Sequence, residues 1–238
     1  MKSIIRQALM KVPLNINKNI TYDRQTVKVL QKSTRADSNC IDVGCHKGEF
    51  LDSVLKTCPD GKHFAFEPLP ALFDDLKQKY GQSATVTDIC LSDTSGETTF
   101  QYVKSNPAYS GILRRKYDRS SEKVEPIKVQ TDTLDRILPE DHPVDFIKMD
   151  VEGAEYRVLT GARKTIEKYR PVIVFEFGLG AADIYGVTPT MMYKLLHGEL
   201  NMKIGLMRDY LKGRQPMNEQ TFKKHFYQRL DFYFMAWP

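Results

Sequence analysis

The feature that most constrains this chain is a repeated alternation of short β-prone apolar runs with stretches of helical period. Cys40-Ile-Asp-Val-Gly44 reads as a strand that breaks into a glycine turn. Glu49 to Thr57 follows as an amphipathic helix with Phe50, Val54 and Leu55 on one side. Lys62 to Glu67 is a second strand, residues 70 to 80 a helix that stops at Gly81, and Thr85 to Cys90 a third strand. Further on, Val144 to Asp150 is a buried strand, Glu155 to Lys168 a helix, and Arg170 to Glu176 a strongly β-prone strand. A helix over Thr190 to Leu200 opens at Pro189, and Met202 to Met207 pairs with Phe232 to Trp237 across a polar connection. Such alternation predicts an α/β, doubly wound, mostly parallel sheet of about seven strands covered on both faces.

Right-handed crossovers in that architecture bring the ligand loops to the carboxyl ends of the strands, near the point where strand order reverses. Four strand ends then matter: Asp42–Gly44, Glu67, Asp150 and Glu176. Each carries a carboxylate. Between the two halves, Glu97 to Val103 alternates like an extra strand, Ile127 to Val129 is extended, and Thr133 to Leu138 is a helical turn or two. The polar stretch from Ser105 to Glu125, rich in Arg and Tyr, is a candidate lid.

The turn Asp42-Val-Gly-Cys-His-Lys-Gly48 can hold either a dinucleotide or S-adenosylmethionine. A pyrophosphate fingerprint starting at Gly44 needs glycines at 46 and 49, where the chain has His46 and Glu49. The remaining pattern, an acid two residues before Gly44 and a second glycine at Gly48, disfavours a pyrophosphate and suits the ammonium of a methionine tail. Glu67 lies 25 residues after Asp42, at the tip of the next strand, where a carboxylate accepts both ribose hydroxyls. Asp88 is a candidate partner for the adenine amino group, or simply the start of a turn. His46 is expected to pack on the cofactor or to donate a hydrogen bond, with service as a base the lesser alternative.

At this point the residues resemble a known family. Asp42-Val-Gly-Cys-His-Lys-Gly48, Phe66-Glu-Pro68, Leu91-Ser-Asp93 with Gly96, Thr133-Leu-Asp135 and Phe146-Ile-Lys-Met-Asp-Val-Glu-Gly-Ala-Glu155 occur in the order seen in FkbM-type methyltransferases. The resemblance spans about residues 38 to 180, with Cys45 standing where the family commonly has alanine. It implies a Rossmann-like fold of the class I methyltransferase type with an antiparallel last strand, and S-adenosylmethionine-dependent O-methylation. Acceptors in the family are sugars, glycans, glycolipids and secondary metabolites.

A sulfonium donor is already activated, so the protein's task is to position the acceptor hydroxyl and to receive its proton. Asp150 and Glu152 are the candidates for base or hydroxyl ligand, with Glu176 close by from the neighbouring strand. The three carboxylates could instead hold a divalent metal through oxygen ligands, although nothing in the sequence demands one. Lys148 shares a face with Asp150 and is expected to neutralise a carboxylate, and Glu155 to serve the first turn of its helix. The run Arg114-Arg-Lys116 with Tyr109 and Tyr117 is either a solvated loop or a grip for a phosphate or sugar, which leaves room for an anionic acceptor.

Charge is uneven. Residues 1–35 hold eight Lys or Arg against one acid, Asp23, a net of +7, so the other 203 residues sum to −2 and the chain to +5. The first 35 residues therefore read as a basic, helical N-terminal extension, with Tyr22 to Thr34 as the helix, ahead of a catalytic domain over 36–238. That basicity keeps a nucleic-acid methyltransferase in view. It is disfavoured because Asp150-Val-Glu-Gly stands where amino-methylating enzymes carry an Asn/Asp-Pro-Pro-aromatic motif. A non-catalytic nucleoside-binding module of the same fold is the other alternative. No stretch approaches the roughly 18 apolar residues of a membrane span. Four cysteines without Cys-x-x-Cys spacing point to free thiols in a reducing, cytoplasmic setting. The sequence does not specify an oligomeric state.

Overall fold

The computed structural model describes residues 18–115, 117 and 121–238. In chain order its strands are β1 (Cys40–Val43), β2 (His63–Phe66), β3 (Ala84–Thr87), β4 (Cys90–Leu91), β5 (Gly96–Val103), β6 (Val124–Asp132), β7 (Phe146–Met149), β8 (Val172–Glu176), β9 (Lys203–Gly205) and β10 (Tyr233–Trp237). The α-helices are α1 (Lys18–Ser33), α2 (Glu49–Thr57), α3 (Pro70–Tyr80), α4 (Leu134–Ile137), α5 (Glu155–Thr160), α6 (Arg163–Tyr169), α7 (Pro189–Tyr193), α8 (Met207–Leu211) and α9 (Glu219–Tyr227).

Seven strands form one sheet in the order β3-β2-β1-β7-β8-β10-β9. Pairings are parallel from β3 through β8, and β10 runs antiparallel to both of its neighbours. This is the expected doubly wound sheet with a reversed last strand. The order turns back between β1 and β7, which puts the switch point at Gly44 and Asp150. The close approach there needs a glycine. Gly44 has φ +73°, and a Cβ on it would sit 2.0 Å from the Asp150 carbonyl oxygen.

Side chains alternate across the sheet. Ile41, Val43, Ile147, Met149, Ile173 and Phe175 enter one core layer, while Cys40, Ala65, Phe146, Val174 and Met235 enter the other. The second layer is roofed by α1 and α2, and α1 contributes Tyr22, Val29 and Leu30, all buried. From residue 18 onward, then, the basic segment set apart at 1–35 is packed on the body, because one face of α1 is apolar enough to cover the sheet. Residues 1–17 of that extension lie outside the described residues.

Local departures from expectation have clear causes. The third strand ends at Thr87, short of Cys90, and β4 leaves the main sheet to run parallel to β6 in a small sheet of order β4-β6-β5. The hairpin β5–β6 thus accounts for most of the stretch read as isolated extended pieces, and the candidate lid lies between its strands. The helix expected over 155–168 is broken between α5 and α6, where the Gly161 carbonyl accepts from the Asp135 amide at 3.1 Å and the Asp135 carboxylate accepts from the amides of Lys164 and Thr165, both at 2.9 Å. Past Tyr193 the helix capped by Thr188 widens into a π-turn over Lys194–Glu199. The polar connection before β10 contains α9, capped by Asn218, whose side chain accepts from the Thr221 amide at 2.9 Å.

Candidate functional site

The carboxyl ends of the parallel strands open into a cavity of about 900 Å³. One end is walled by Glu67 and Leu69 after β2, by Ile89 to Leu91, and by Phe100 and Ile112 of the hairpin region. The middle holds Gly44 to His46, Lys148, Asp150, Glu152 and Glu176. The other end is bounded by Asn19, Asp23 and Val27 of α1, Phe50 and Ser53 of α2, and Phe232.

Glu67 is the best-placed acid for a nucleoside. It is 5% exposed yet on the cavity wall. One oxygen accepts from the His46 amide (2.8 Å) and the other from the Leu69 amide (3.1 Å), leaving a lone pair on each for further donors. Burial pushes its proton affinity up to about 7, against the pull of those two amides. His46 contributes through its backbone. It adopts φ +49°, in the left-handed region, and so turns its amide onto Glu67.

Asp42 is placed otherwise than expected. Strand alternation sends it into the layer under α1 and α2, opposite Lys148 in the register. It is 1% exposed, does not line the cavity, and neither oxygen receives a well-formed hydrogen bond from a described residue. Burial raises its proton affinity, and the Lys148 ammonium, 3.5 Å away, opposes that rise. The cation that faces Asp42 in this structure is the Lys148 ammonium. Gly48 shapes the turn from behind, where a Cβ would meet the Tyr80 ring at 2.4 Å. Asp88 follows the end of β3, is exposed, and does not reach the cavity wall, so an adenine contact is not supported.

The expected acid cluster does assemble. One oxygen each from Asp150, Glu152 and Glu176 all lie within 4.8 Å of one another, a set that could hold a divalent cation. Their charge is met from within the protein. Asp150 accepts from the Tyr233 hydroxyl at 2.6 Å and lies 3.7 Å from Lys148. Burial would raise its proton affinity, but Lys148 and hydrogen bonds from Glu176 and Tyr233 bring it below the ordinary value. Glu176 is pushed well above its ordinary value by burial and by the charges of Asp150 and Glu152. Glu152, at φ +58°, is pushed up to about 8 by burial and by Asp150, while Arg115 opposes the rise through an ion pair. Glu155 turns away to accept from the amides of Val151 (3.0 Å) and Gly153 (3.3 Å), which fixes the bend between β7 and α5.

Arg115 reaches this cluster from the candidate lid. Its guanidinium lies 4.6 Å from the centre of the Tyr109 ring, and Tyr109 stacks on Tyr117. The Leu113 amide donates to the Tyr185 hydroxyl at 3.0 Å, which ties the same segment to the far wall. Tyr233 and the α1 side chains were not expected here. Tyr233 follows Phe232 at the start of the last strand, and only the antiparallel pairing of β10 with β8 brings it beside Glu176.

Residues 42–222, well over half of the chain, match the family model described as the methyltransferase FkbM domain. The chain belongs to the FkbM methyltransferase family. The curated relatives that the chain matches are distant. The 2-O-methyltransferase NoeI of Sinorhizobium fredii is 28% identical over 166 residues, covering 64% of this chain and 67% of NoeI. Methyltransferase sdnD of Sordaria araneosa is 26% identical over 152 residues, covering 51% of this chain and 59% of sdnD. The crystal structure of methyltransferase FkbM from Methylobacillus flagellatus KT shares the fold with a TM-score of 0.53 at 16% identity, covering 86% of this chain and 44% of that one. The chain thus spans about two thirds of NoeI and less than half of that solved structure. Among the described residues no helix is long and apolar enough to cross a membrane.

Proposed function

We propose that this FkbM-family chain is an S-adenosylmethionine-dependent O-methyltransferase acting on a hydroxyl of a sugar, glycan or similar polyol. The observation that carries the reading is Glu67, a buried acid at the tip of β2 whose two oxygens are aimed into the cavity by backbone amides. A carboxylate so held matches a ribose diol. Beside it, Leu69, Ile89, Leu91 and Phe100 supply apolar surface suited to the face of a purine. The nucleoside therefore fits the residues present at this end.

Bound there, the donor supplies an activated methyl group. The chain's own part is to align an oxygen and take its proton. Asp150, kept ionised by Lys148 and Tyr233, orients the acceptor hydroxyl. Glu152, with a proton affinity of about 8, is suited to receive the proton near neutral pH. Burial and the charges of Asp150 and Glu152 favour the neutral form of Glu176, which lessens repulsion within the cluster. The 2-O-methylation in NoeI's name supports an oxygen acceptor. Free thiols at Cys40, Cys45, Cys58 and Cys90, all buried, suit a reducing compartment.

Calorimetry with S-adenosylhomocysteine and with NAD tests the assignment. The protein is expected to bind S-adenosylhomocysteine and not NAD, and Glu67→Gln to weaken that binding at least tenfold. Binding of NAD alone, or a Glu67→Gln variant with unchanged affinity, refutes it.

A further inference from the structure

Glu152, the acid suited to receive the acceptor's proton, is already paired with the Arg115 guanidinium. Both side chains line the cavity and are only 18% (Arg115) and 12% (Glu152) exposed, so the pair is largely shielded from bulk water. An acceptor hydroxyl that reaches Glu152 has to draw Arg115 off. In such a shielded place a cation stripped of its counter-charge is costly, and a neutral polyol supplies no replacement.

Arg115 is the less committed of the two cations beside the acid cluster. Lys148 is held by Asp42 at 3.5 Å, by Asp150 at 3.7 Å and by the Gly44 carbonyl at 3.3 Å. Arg115 meets Glu152 through Nη1 and lies over the Tyr109 ring, 4.6 Å from its centre. Its Nε is buried, and none of the described residues offers that N–H an acceptor. A buried donor without an acceptor is unfavourable, and an oxygen brought in by a ligand removes the cost. Nε and Nη2 lie side by side on the other edge of the guanidinium, a spacing that matches two oxygens of a carboxylate or phosphate.

The segment that carries Arg115 is turned against the ordinary partition of side chains. Apolar Leu113 is 37% exposed while the charged Arg115 points inward. The backbone is anchored just before it, by the Gln101 amide on the Gly111 carbonyl at 2.7 Å and the Leu113 amide on Tyr185 at 3.0 Å. Arg115 is thus carried into the cavity two residues beyond a firm attachment.

We propose that Arg115 is a specificity-determining residue, which recognises an anionic group, a carboxylate or a phosphate ester, carried by the acceptor near the hydroxyl to be methylated. The inference rests on the O-methyltransferase reading of the cavity and narrows its acceptors from polyols at large to acidic ones. The incoming oxyanion takes the free edge of the guanidinium and supplies its counter-charge. Arg115 then leaves Glu152, and the carboxylate opens to the hydroxyl.

Calorimetry on the full chain loaded with S-adenosylhomocysteine tests this, with methyl glucuronide, inorganic phosphate and methyl glucoside as probes. The wild type is expected to bind the glucuronide or phosphate at least fivefold more tightly than the glucoside. Which anion is preferred tells a carboxylate from a phosphate ester. Glu152→Gln, which frees the guanidinium, should tighten the preferred anion several-fold, and Arg115→Gln should erase the preference. The double variant Arg115→Gln, Glu152→Gln has the net charge of the wild type, so a preference lost there reads the guanidinium and not the total charge. Equal binding of the three probes, no binding of any at tens of millimolar, an anion bound no better by Glu152→Gln, or a preference that survives in the double variant overturns the proposal. If S-adenosylhomocysteine itself fails to bind, the cofactor reading falls and takes the proposal with it, a separate result that the loading step reveals before any probe is added.

Discussion

Replacing Lys148 by methionine keeps the aliphatic stem and removes the ammonium that faces Asp42. Asp42 is 1% exposed and Lys148 13%, so the pair is shielded from solvent and little of its interaction is screened. Removing one member of a buried ion pair costs about 3–5 kcal/mol, because the other charge is left without compensation. Unfolding entropy of roughly 2 cal/mol/K per residue makes 1 kcal/mol worth about 2 °C in a chain of 238 residues, so Tm should drop about 6–10 °C. The loss should depend on pH in a defined direction. Burial already raises the proton affinity of Asp42, and without Lys148 that push is unopposed. A carboxyl whose folded pKa lies above its unfolded value lends stability that is complete below the unfolded value, about 4, and is lost as pH rises through the folded one. The deficit relative to wild type is therefore smaller at pH 5 than at pH 8, where Asp42 cannot escape by protonation. The double variant Asp42→Asn, Lys148→Met removes both charges and should recover most of the loss. Urea denaturation followed by circular dichroism at pH 5, 6.5 and 8 measures all of this. A deficit under about 1 kcal/mol at pH 8, a deficit that does not change with pH, or a double variant no better than the single one would refute the reasoning.

Two further outcomes are expected. Gly44→Ala should cost more than about 3 kcal/mol, since its Cβ meets the Asp150 carbonyl at 2.0 Å, whereas Gly186→Ala, at a similar φ of +69° with open space around it, should cost only about 1–2 kcal/mol for the backbone strain alone; equal costs in denaturation would show that the strand contact is not what excludes a side chain. In the ligand-free wild type, Glu67 and Glu155 are both raised to about 7, so the folded state binds their protons more tightly and their contribution to stability falls as pH rises from about 4.5 through 7; Glu67→Gln and Glu155→Gln should each flatten that slope, and unchanged slopes would contradict the assigned burial.

Much of the site was legible because strand tips are. The alternation placed Asp150, Glu176 and Glu67 at carboxyl ends, and the glycine turn located the switch point. Asp42 stands beside Lys148 and off the cavity wall, a placement the sequence did not show because nearness to a tip does not say which way a strand side chain faces. Its partner is fixed by the register of β1 on β7, which joins residues 106 positions apart. Asp88 lies off the cavity wall for a related reason, since the third strand stops at Thr87 and the chain crosses to another sheet. The break at Gly161 is bridged by Asp135, 26 positions earlier in the chain, and leaves no trace in local periodicity. The α9 helix was readable and was missed, for Asn218 stands at its start and Phe222 and Phe226, four apart, are both buried. Asp23 on the cavity wall had no local signal, as only the docking of α1 brings it there.

Tyr22 on α1 donates to Asp231 at 3.0 Å, and Asp231 also receives Arg208 and accepts or shares a proton with His225 at 2.8 Å. This buried polar knot joins helix α1 to the turn before β10. Helix α1 and the approach to β10 thus hold one another in place, and they flank the same end of the cavity. A version trimmed to the recognisable span of 42–222 would lose both halves of that fastening at once. It would bare the sheet face that Val29 and Leu30 cover, and it would open that end of the cavity to water from two sides.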